Sequence, residues 1–178
     1  MKQKYLLLAL ILLSISACST VKFETSQPKD AEELNEFPPD MIGKYTSMNK
    51  DTLIINNNSF QYLEASIFGP GKVNSLKHDE VVLKKSDDNL LLSIKDSNVW
   101  EVLLIKHKGS KLTLSCIFYD KKNVNEIINS VKAITNVTAI KDREGNIDKY
   151  MINPSKEEFQ LLLDKKIFSK IMEYKMIK

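Results

Sequence analysis

The sequence has few of the residues from which catalytic and metal sites are built. Its 178 residues include only two histidines, His78 and His107. His78 is followed by Asp79 and Glu80, but adjacent strand residues point to opposite faces, whereas a zinc site needs three or four converging ligands. A solvated turn is therefore favoured over a metal site. No Gly-x-Ser-x-Gly, His-Glu-x-x-His or phosphate-binding glycine loop occurs, so we expect a non-enzymatic protein without metal or cofactor.

A strong charge of one sign is also missing. The formal net charge is +3, and it falls to +1 if a leader containing Lys2 and Lys4 is removed. A nearly neutral body offers no electrostatic basis for binding nucleic acid. With 43% hydrophobic and 28% charged residues, the composition is that of a folded protein, and the length fits one domain.

No hydrophobic run is long enough to cross a membrane. The longest block, residues 5–13, would rise about 1.5 Å per residue as a helix, roughly half of a ~30 Å hydrocarbon core. Lys2 and Lys4 precede it, and small residues follow it as far as Ala17. This order is typical of a secretory signal peptide, which we assign to residues 1–17.

Four residues at the end of this leader resemble a bacterial lipobox: Ile15, Ser16, Ala17 and Cys18. The resemblance implies that the Cys18 thiol is diacylglycerylated, that the leader is cut before it and that the new amine is acylated. Several acyl chains, each adding ~0.8 kcal/mol per buried CH₂, would anchor the protein stably in membrane lipid. The alternative is an ordinary cleaved signal with an incidental cysteine.

The residues that follow Cys18 bear on location. Ser19, rather than an aspartate, stands next to it, which by resemblance to the enterobacterial sorting rule implies the outer membrane. Surface-exported lipoproteins of Bacteroidota often carry an acidic cluster here, whereas residues 19–23 contain none. We therefore expect a lipid-anchored outer-membrane protein that faces the periplasm.

The second cysteine, Cys116, is then alone. If Cys18 is lipidated, no intramolecular disulfide can form. Cys116 shares its side of a predicted strand with Leu112, Leu114 and Phe118, which favours a buried, inert thiol. A nucleophilic pair with His107 is the less favoured alternative, because a thiolate needs a base within hydrogen-bond reach.

The remaining chain divides near residue 40. Residues 18–40 are polar and contain Pro28, Pro38 and Pro39, so they are predicted to form the lipidated N-terminus and a flexible tether with an r.m.s. span of roughly 25 Å. Residues 41–178 are predicted to form a single β-rich domain with C-terminal helices.

Alternating polar and apolar residues predict short antiparallel strands, because no connection is long enough for parallel crossovers. The segments are 51–56, 60–64, 81–83, 90–94, 99–106, 111–119 and a late hairpin, 137–141 with 148–152. Apolar residues at helical spacing predict a helix over 122–134. A last helix begins with a capping box of Ser155 and Glu158, and its apolar stripe is predicted to extend through Phe168 to Met172.

The start of this domain resembles lipocalin-like lipoproteins of Bacteroidota. In residues 37–45, Gly43 and Tyr45 stand where that family begins its first barrel strand, and residues 51–55 resemble its second strand. The resemblance implies an α+β fold, either an antiparallel β-meander or a partly open lipocalin-like barrel packed with C-terminal helices. The helix and hairpin from Lys122 onward depart from that pattern. Asp51, Thr52 and Leu53 also resemble the O-glycosylation acceptor of that phylum, with Thr52 as the acceptor.

Two functions remain open. A protein-interaction or assembly module would bind an envelope protein through an exposed apolar patch, whereas a lipocalin-like carrier would hold a small apolar ligand in a cavity of ~300–1,000 Å³. The first is favoured, because the expected inward-facing side chains are large and predict a filled core. These are Phe60, Tyr62, Leu90, Leu92, Leu103, Leu114 and Phe118.

Overall fold

A computed structural model describes residues 19–64 and 73–177. In it, the segments with alternating polar and apolar residues form strands along most of the chain. The strands are β1 (Ser19–Thr20), β2 (Lys22–Phe23), β3 (Glu33–Leu34), β4 (Gly43–Ser47), β5 (Thr52–Ile55), β6 (Ser59–Leu63), β7 (Val73–Ser75), β8 (Val81–Ser86), β9 (Asn89–Asp96), β10 (Val99–Lys108), β11 (Lys111–Cys116), β12 (Phe118–Tyr119), β13 (Val137–Lys141), β14 (Ile147–Ile152) and β15 (Ser169–Ile177). Two helices, α1 (Val124–Lys132) and α2 (Lys156–Asp164), and a 3₁₀ helix (Pro39–Met41) accompany them.

The predicted antiparallel pairing is confirmed for every described strand pair except β2 with β14, which is parallel, and the sheet curls into a half-barrel. Among the described strands, the order is β3-β8-β9-β10-β11-β15-β4-β5-β6-β7. The sheet branches at β10, because one edge of β10 pairs with β9 while the other pairs with β11 through residues 104–108 and with β2 at Trp100. β2 continues the branch into β14, to which it is parallel, and then β13. β1 and β12 form a separate pair.

Two apolar cores form on opposite faces of the strands at this branch. In β10, Val102 and Leu104 face the outer core, which α1, α2 and the β13–β14 hairpin cover. Leu103 and Ile105 face the inner core within the half-barrel. Because successive strand side chains point to opposite faces, one strand with apolar residues at both parities serves both cores.

The helix predictions are confirmed at their beginnings. α1 lies within the predicted segment 122–134 and buries Ile128 and Val131. α2 begins with the expected capping box: the Ser155 hydroxyl accepts from the Glu158 amide at 3.2 Å, and the Glu158 carboxylate accepts from the Ser155 amide at 2.8 Å. These bonds satisfy two amides that the helix itself leaves free.

The prediction that the last helix extends to Met172 is wrong. α2 ends at Asp164, and the chain turns through Lys166, whose φ of +55° is left-handed, before it enters β15. β15 pairs with β11 on one side and β4 on the other. Its apolar residues Met172, Tyr174 and Met176 alternate, as in a strand. The edges of β11 and β4 provide backbone hydrogen-bond partners on both sides, and this pairing favours a strand over the weak helical spacing of the sequence.

The predicted tether over residues 18–40 is also corrected, because the described part of it is packed into the body. Val21 and Phe23 lie in the outer core, and Phe37 lies in the inner core. β1, β2 and β3 each contain two residues. Such short strands produce no readable periodicity, so the burial of this segment depends on contacts distant in sequence.

Candidate functional site

The half-barrel forms an apolar cavity of about 230 Å³ that is open to solvent on one side. Its lining is apolar or aromatic throughout and comes from inward positions of β5, β6, β9, β10, β11 and β15, together with Phe37. Representative members are Leu53, Phe60, Leu92, Leu103, Leu114 and Met172. The strand alternation that directs these side chains inward therefore produces a space from which polar groups are nearly absent.

The inward side chains are large, but they do not fill the half-barrel, because the sheet is curved rather than closed. Pairing between β11 and β15 shifts from Leu114 opposite Met172 to Ser115 opposite Lys170, so Ile171 is an extra residue in β15. Such a bulge bends a strand and increases its twist. Ile171 lines the cavity and is 43% exposed, which places it at the rim.

A polar group borders the cavity beside its two tyrosines. The Ser47 hydroxyl donates to Asp51 Oδ2 at 3.2 Å, and Asp51 also accepts a hydrogen bond from Tyr62. The pKa of Tyr62 is raised mainly by burial and, to a smaller extent, by the charge of Asp51. The pKa of Tyr174 is likewise raised mainly by burial, with smaller contributions from Tyr62 and Asp51. Both lining tyrosines therefore remain protonated at neutral pH, and the cavity wall is uncharged.

A second part of the inner core is formed by Phe37, by the 3₁₀ helix and by Tyr45 of β4. Phe37 meets Phe60 edge to face, with ring centroids 6.3 Å apart. The Tyr45 hydroxyl donates to the Met41 carbonyl oxygen at 2.8 Å, and the Tyr45 ring meets His107 edge to face. His107 Nδ1 lies 3.2 Å from Asp40 Oδ2. These contacts hold the 3₁₀ segment against the sheet.

Of the predicted modification sites, the structure describes Thr52 but not the lipobox or Cys18. The lipobox residues Ile15, Ser16 and Ala17 and the lipidation site Cys18 lie outside the described residues. Thr52, the predicted glycosylation site, is the first residue of β5 and is partly exposed; it pairs with Thr46 and Leu63.

The structure does not bring Cys116 and His107 together. His107 pairs with Leu112, and Cys116 lies four residues further along β11, about 13 Å at ~3.3 Å per residue. Cys116 is buried, as predicted, and burial raises the pKa of its thiol to about 11. The thiol is therefore protonated and unreactive near neutral pH.

His78 lies on the surface rather than in a ligand cluster. Its Nδ1 is 2.7 Å from Glu33 Oε2, and its Nε2 is 3.6 Å from Asp79 Oδ1. Within residues 19–64 and 73–177, no group of three or more histidine, cysteine, aspartate or glutamate side chains is placed to hold a metal ion. In the same ranges, no helix has the length and apolar character needed to cross a membrane.

No protein-family model, curated protein or solved structure matches this chain.

Sequence reasoning named much of the cavity wall but missed two contributions. Seven residues were expected to face inward. Five of them line the cavity, whereas Leu90 packs on the inner core beside it and Phe118 belongs to β12; the five are Phe60, Tyr62, Leu92, Leu103 and Leu114. Phe37 was assigned to the tether, Ile171 and Met172 were assigned to the last helix, and Tyr174 was not assigned, yet all four line the cavity. The alternation of Met172, Tyr174 and Met176 was the available signal for β15.

Proposed function

We propose that this chain is a lipoprotein anchored in the outer membrane through Cys18, facing the periplasm, and that its half-barrel binds a small apolar ligand without catalysing a reaction. A lipocalin-like α+β fold is part of this proposal. The ligand-binding part of the proposal rests on the apolar cavity. A space of about 230 Å³ with uncharged walls favours an apolar occupant over water, because a water molecule needs two to four polar partners.

The size of the cavity limits the ligand. Drug-sized molecules usually occupy ~300–1,000 Å³, whereas an apolar cavity of ~150 Å³ already admits benzene or xenon. The cavity of about 230 Å³ therefore fits one ring or a short branched chain. A larger molecule would have to place only one apolar group inside.

The cavity favours this function over the protein-interaction module expected from the sequence. An interaction module would need a continuous exposed apolar patch. The large exposed apolar side chains of the described residues are instead distributed over the β4–β5 turn, β6, β7, β14, β15 and α2. The cavity gathers thirteen lining residues at one place.

Xenon and toluene binding test the ligand site. We expect both to shift the NMR methyl signals of the cavity residues in the wild-type protein. Leu103→Phe should abolish these shifts, because the added ring atoms enter the space that Leu103 lines. Leu161→Phe is the matched control, since Leu161 is 45% exposed on α2, and it should bind as the wild type does. Absence of shifts in the wild type, or equal shifts in Leu103→Phe, would refute the proposed cavity function.

Fractionation tests the anchor. Cys18→Ala should move the protein from the membrane pellet to the soluble fraction, because losing several acyl chains at ~0.8 kcal/mol per CH₂ removes most of the membrane affinity. Cys116→Ser is the control, because Cys116 is buried in the fold, and that variant should stay in the pellet. Soluble wild-type protein would contradict the lipoprotein assignment.

A further inference from the structure

The first described residue, Ser19, already belongs to a strand. Ser19 and Thr20 form β1 and pair with Tyr119 and Phe118. The Val21 amide donates to the Ile117 carbonyl oxygen at 2.8 Å, and Val21 is 2% exposed. Ser19 is therefore part of the folded body rather than part of a free arm.

Side chains also fix this strand in place. Thr20 Oγ1 donates to Glu101 at 3.4 Å, and the Lys22 ammonium group forms an ion pair with the same carboxylate. β2 then pairs with β10 at Trp100 and with β14. Backbone pairing and two side-chain contacts thus determine where Ser19 leaves the body.

Cys18 precedes Ser19 by one peptide unit, so its Cα lies about 3.8 Å from that of Ser19. A flexible arm of twenty residues would have spanned roughly 25 Å. We propose that the surface around Ser19 rests on the lipid headgroups. This inference depends on the acylation of Cys18 in the proposed function, because acyl chains in the hydrocarbon hold Cys18 at the membrane surface.

The composition of this surface suits the interface between lipid and water. Ile147 is 50% exposed, and the partly buried Tyr150, whose ring meets that of the buried Tyr119 edge to face, borders the same surface. Tyrosine combines an apolar ring with a polar tip and is enriched at membrane interfaces. Lys121 borders the same surface and offers its ammonium group to lipid phosphates.

Three lysines and three carboxylates border this surface, so its formal charges balance. The Lys149 ammonium lies 3.3 Å from Asp148 Oδ2, and Glu101 is already paired with Lys22. Charge alone would therefore give little attraction to an anionic leaflet. The short connection to the acyl chains is what holds this surface against the membrane.

The turn at Ser110 is distant from this surface along β10. The strand runs from the contacts of Glu101 with β1 to the exposed turn at Ser110. Nine residues of extended chain span about 30 Å. A probe at position 110 should therefore stay out of reach of the lipid when a probe at position 147 is in contact with it.

Depth-dependent quenching tests the orientation. Acylated Ile147→Cys and Ser110→Cys proteins, each carrying an environment-sensitive nitrobenzoxadiazole label, would be reconstituted into phosphatidylethanolamine–phosphatidylglycerol vesicles with headgroup-spin-labelled lipid. The buried Cys116 stays unlabelled. We expect the spin label to quench the position-147 fluorophore at least three times as strongly as the position-110 fluorophore.

A length variant isolates the cause. Twenty Gly/Ser residues inserted between Cys18 and Ser19 should leave vesicle flotation intact and bring the two quenching values close together. Equal quenching in the protein without the insertion, or an unchanged difference in the inserted protein, would overturn the inference. Failure to float would instead refute acylation at Cys18, so the two proposals fail separately.

Discussion

The ammonium group of Lys84, a side chain that is only 6% exposed, donates a 3.1 Å hydrogen bond to the carbonyl oxygen of Pro28. Lys84 belongs to β8, and Pro28 belongs to the N-terminal segment that the sequence predicted as a tether. In the part of the chain that the structure describes, no carboxylate forms an ion pair with Lys84. One backbone oxygen thus replaces part of the hydration that this ammonium loses.

Lys84→Met should leave the free energy of unfolding unchanged or raise it. Methionine keeps most of the packed volume and removes the cost of burying a charge. Lys84→Ala should lower the free energy of unfolding by about 2–5 kcal/mol, because it leaves a cavity. Urea denaturation of both variants measures this. A loss above about 2 kcal/mol in Lys84→Met would show that the bond to Pro28 outweighs desolvation.

Phe23→Ala should lower the free energy of unfolding by about 3–5 kcal/mol, the usual cost of removing a buried phenylalanine. Phe23 is 0% exposed and meets Phe159 of α2 with ring centroids 6.2 Å apart. Lys29→Ala is a control in the same segment, since Lys29 makes an exposed 3.4 Å bond to the Asn153 carbonyl. Thermal melting that is equal in both variants would indicate an unpacked tether.

Cys116 should resist labelling by a bulky maleimide in native buffer and react after unfolding. It is 2% exposed, and burial raises the pKa of its thiol to about 11. The reagent therefore has little access to the sulfur, and little of the thiol is ionised at neutral pH. Cys116→Ser should cost roughly 1–3 kcal/mol, the range for burying a poorly paired hydroxyl. Rapid native labelling would show that the inner face is open to solvent at this point.

Deletion of residues 169–178 should prevent folding. The deletion removes β15 from between β11 and β4 and takes away Tyr174, which is 3% exposed in the inner core. Removing Lys178 alone is the control. Circular dichroism and heteronuclear NMR would measure the outcome, and a cooperative melt of the larger deletion would show that the sheet closes without β15.

The pKa of His78 should lie above 6.5 and fall in Glu33→Gln. A hydrogen bond to Glu33, followed by the charges of Asp79 and Glu33, raises it. Because the folded pKa is the higher one, the contribution to stability is fully present below the unfolded pKa and is lost as pH rises through the folded pKa. NMR titration of the His78 ring protons measures the shift. An unchanged pKa in Glu33→Gln would contradict the assigned cause.

Local patterns in the sequence were enough for elements whose stability is mostly local. The capping box of Ser155 and Glu158, the hairpin of β5 and β6, and α1 all form where the spacing predicts them. Each depends on contacts within a few residues, through helix caps, turns or one amphipathic face. The burial of Cys116 also followed from the alternation of its strand.

The sequence by itself determined the alternation of strand side chains, the helix starts and the apolar positions available for a core. Only the tertiary structure decided that residues 19–40 pack into the body and that residues 169–177 form a strand. It also decided that the large inward side chains surround a cavity. Those outcomes depend on strand edges supplied from far along the chain and on the curvature of the sheet, which no local spacing encodes.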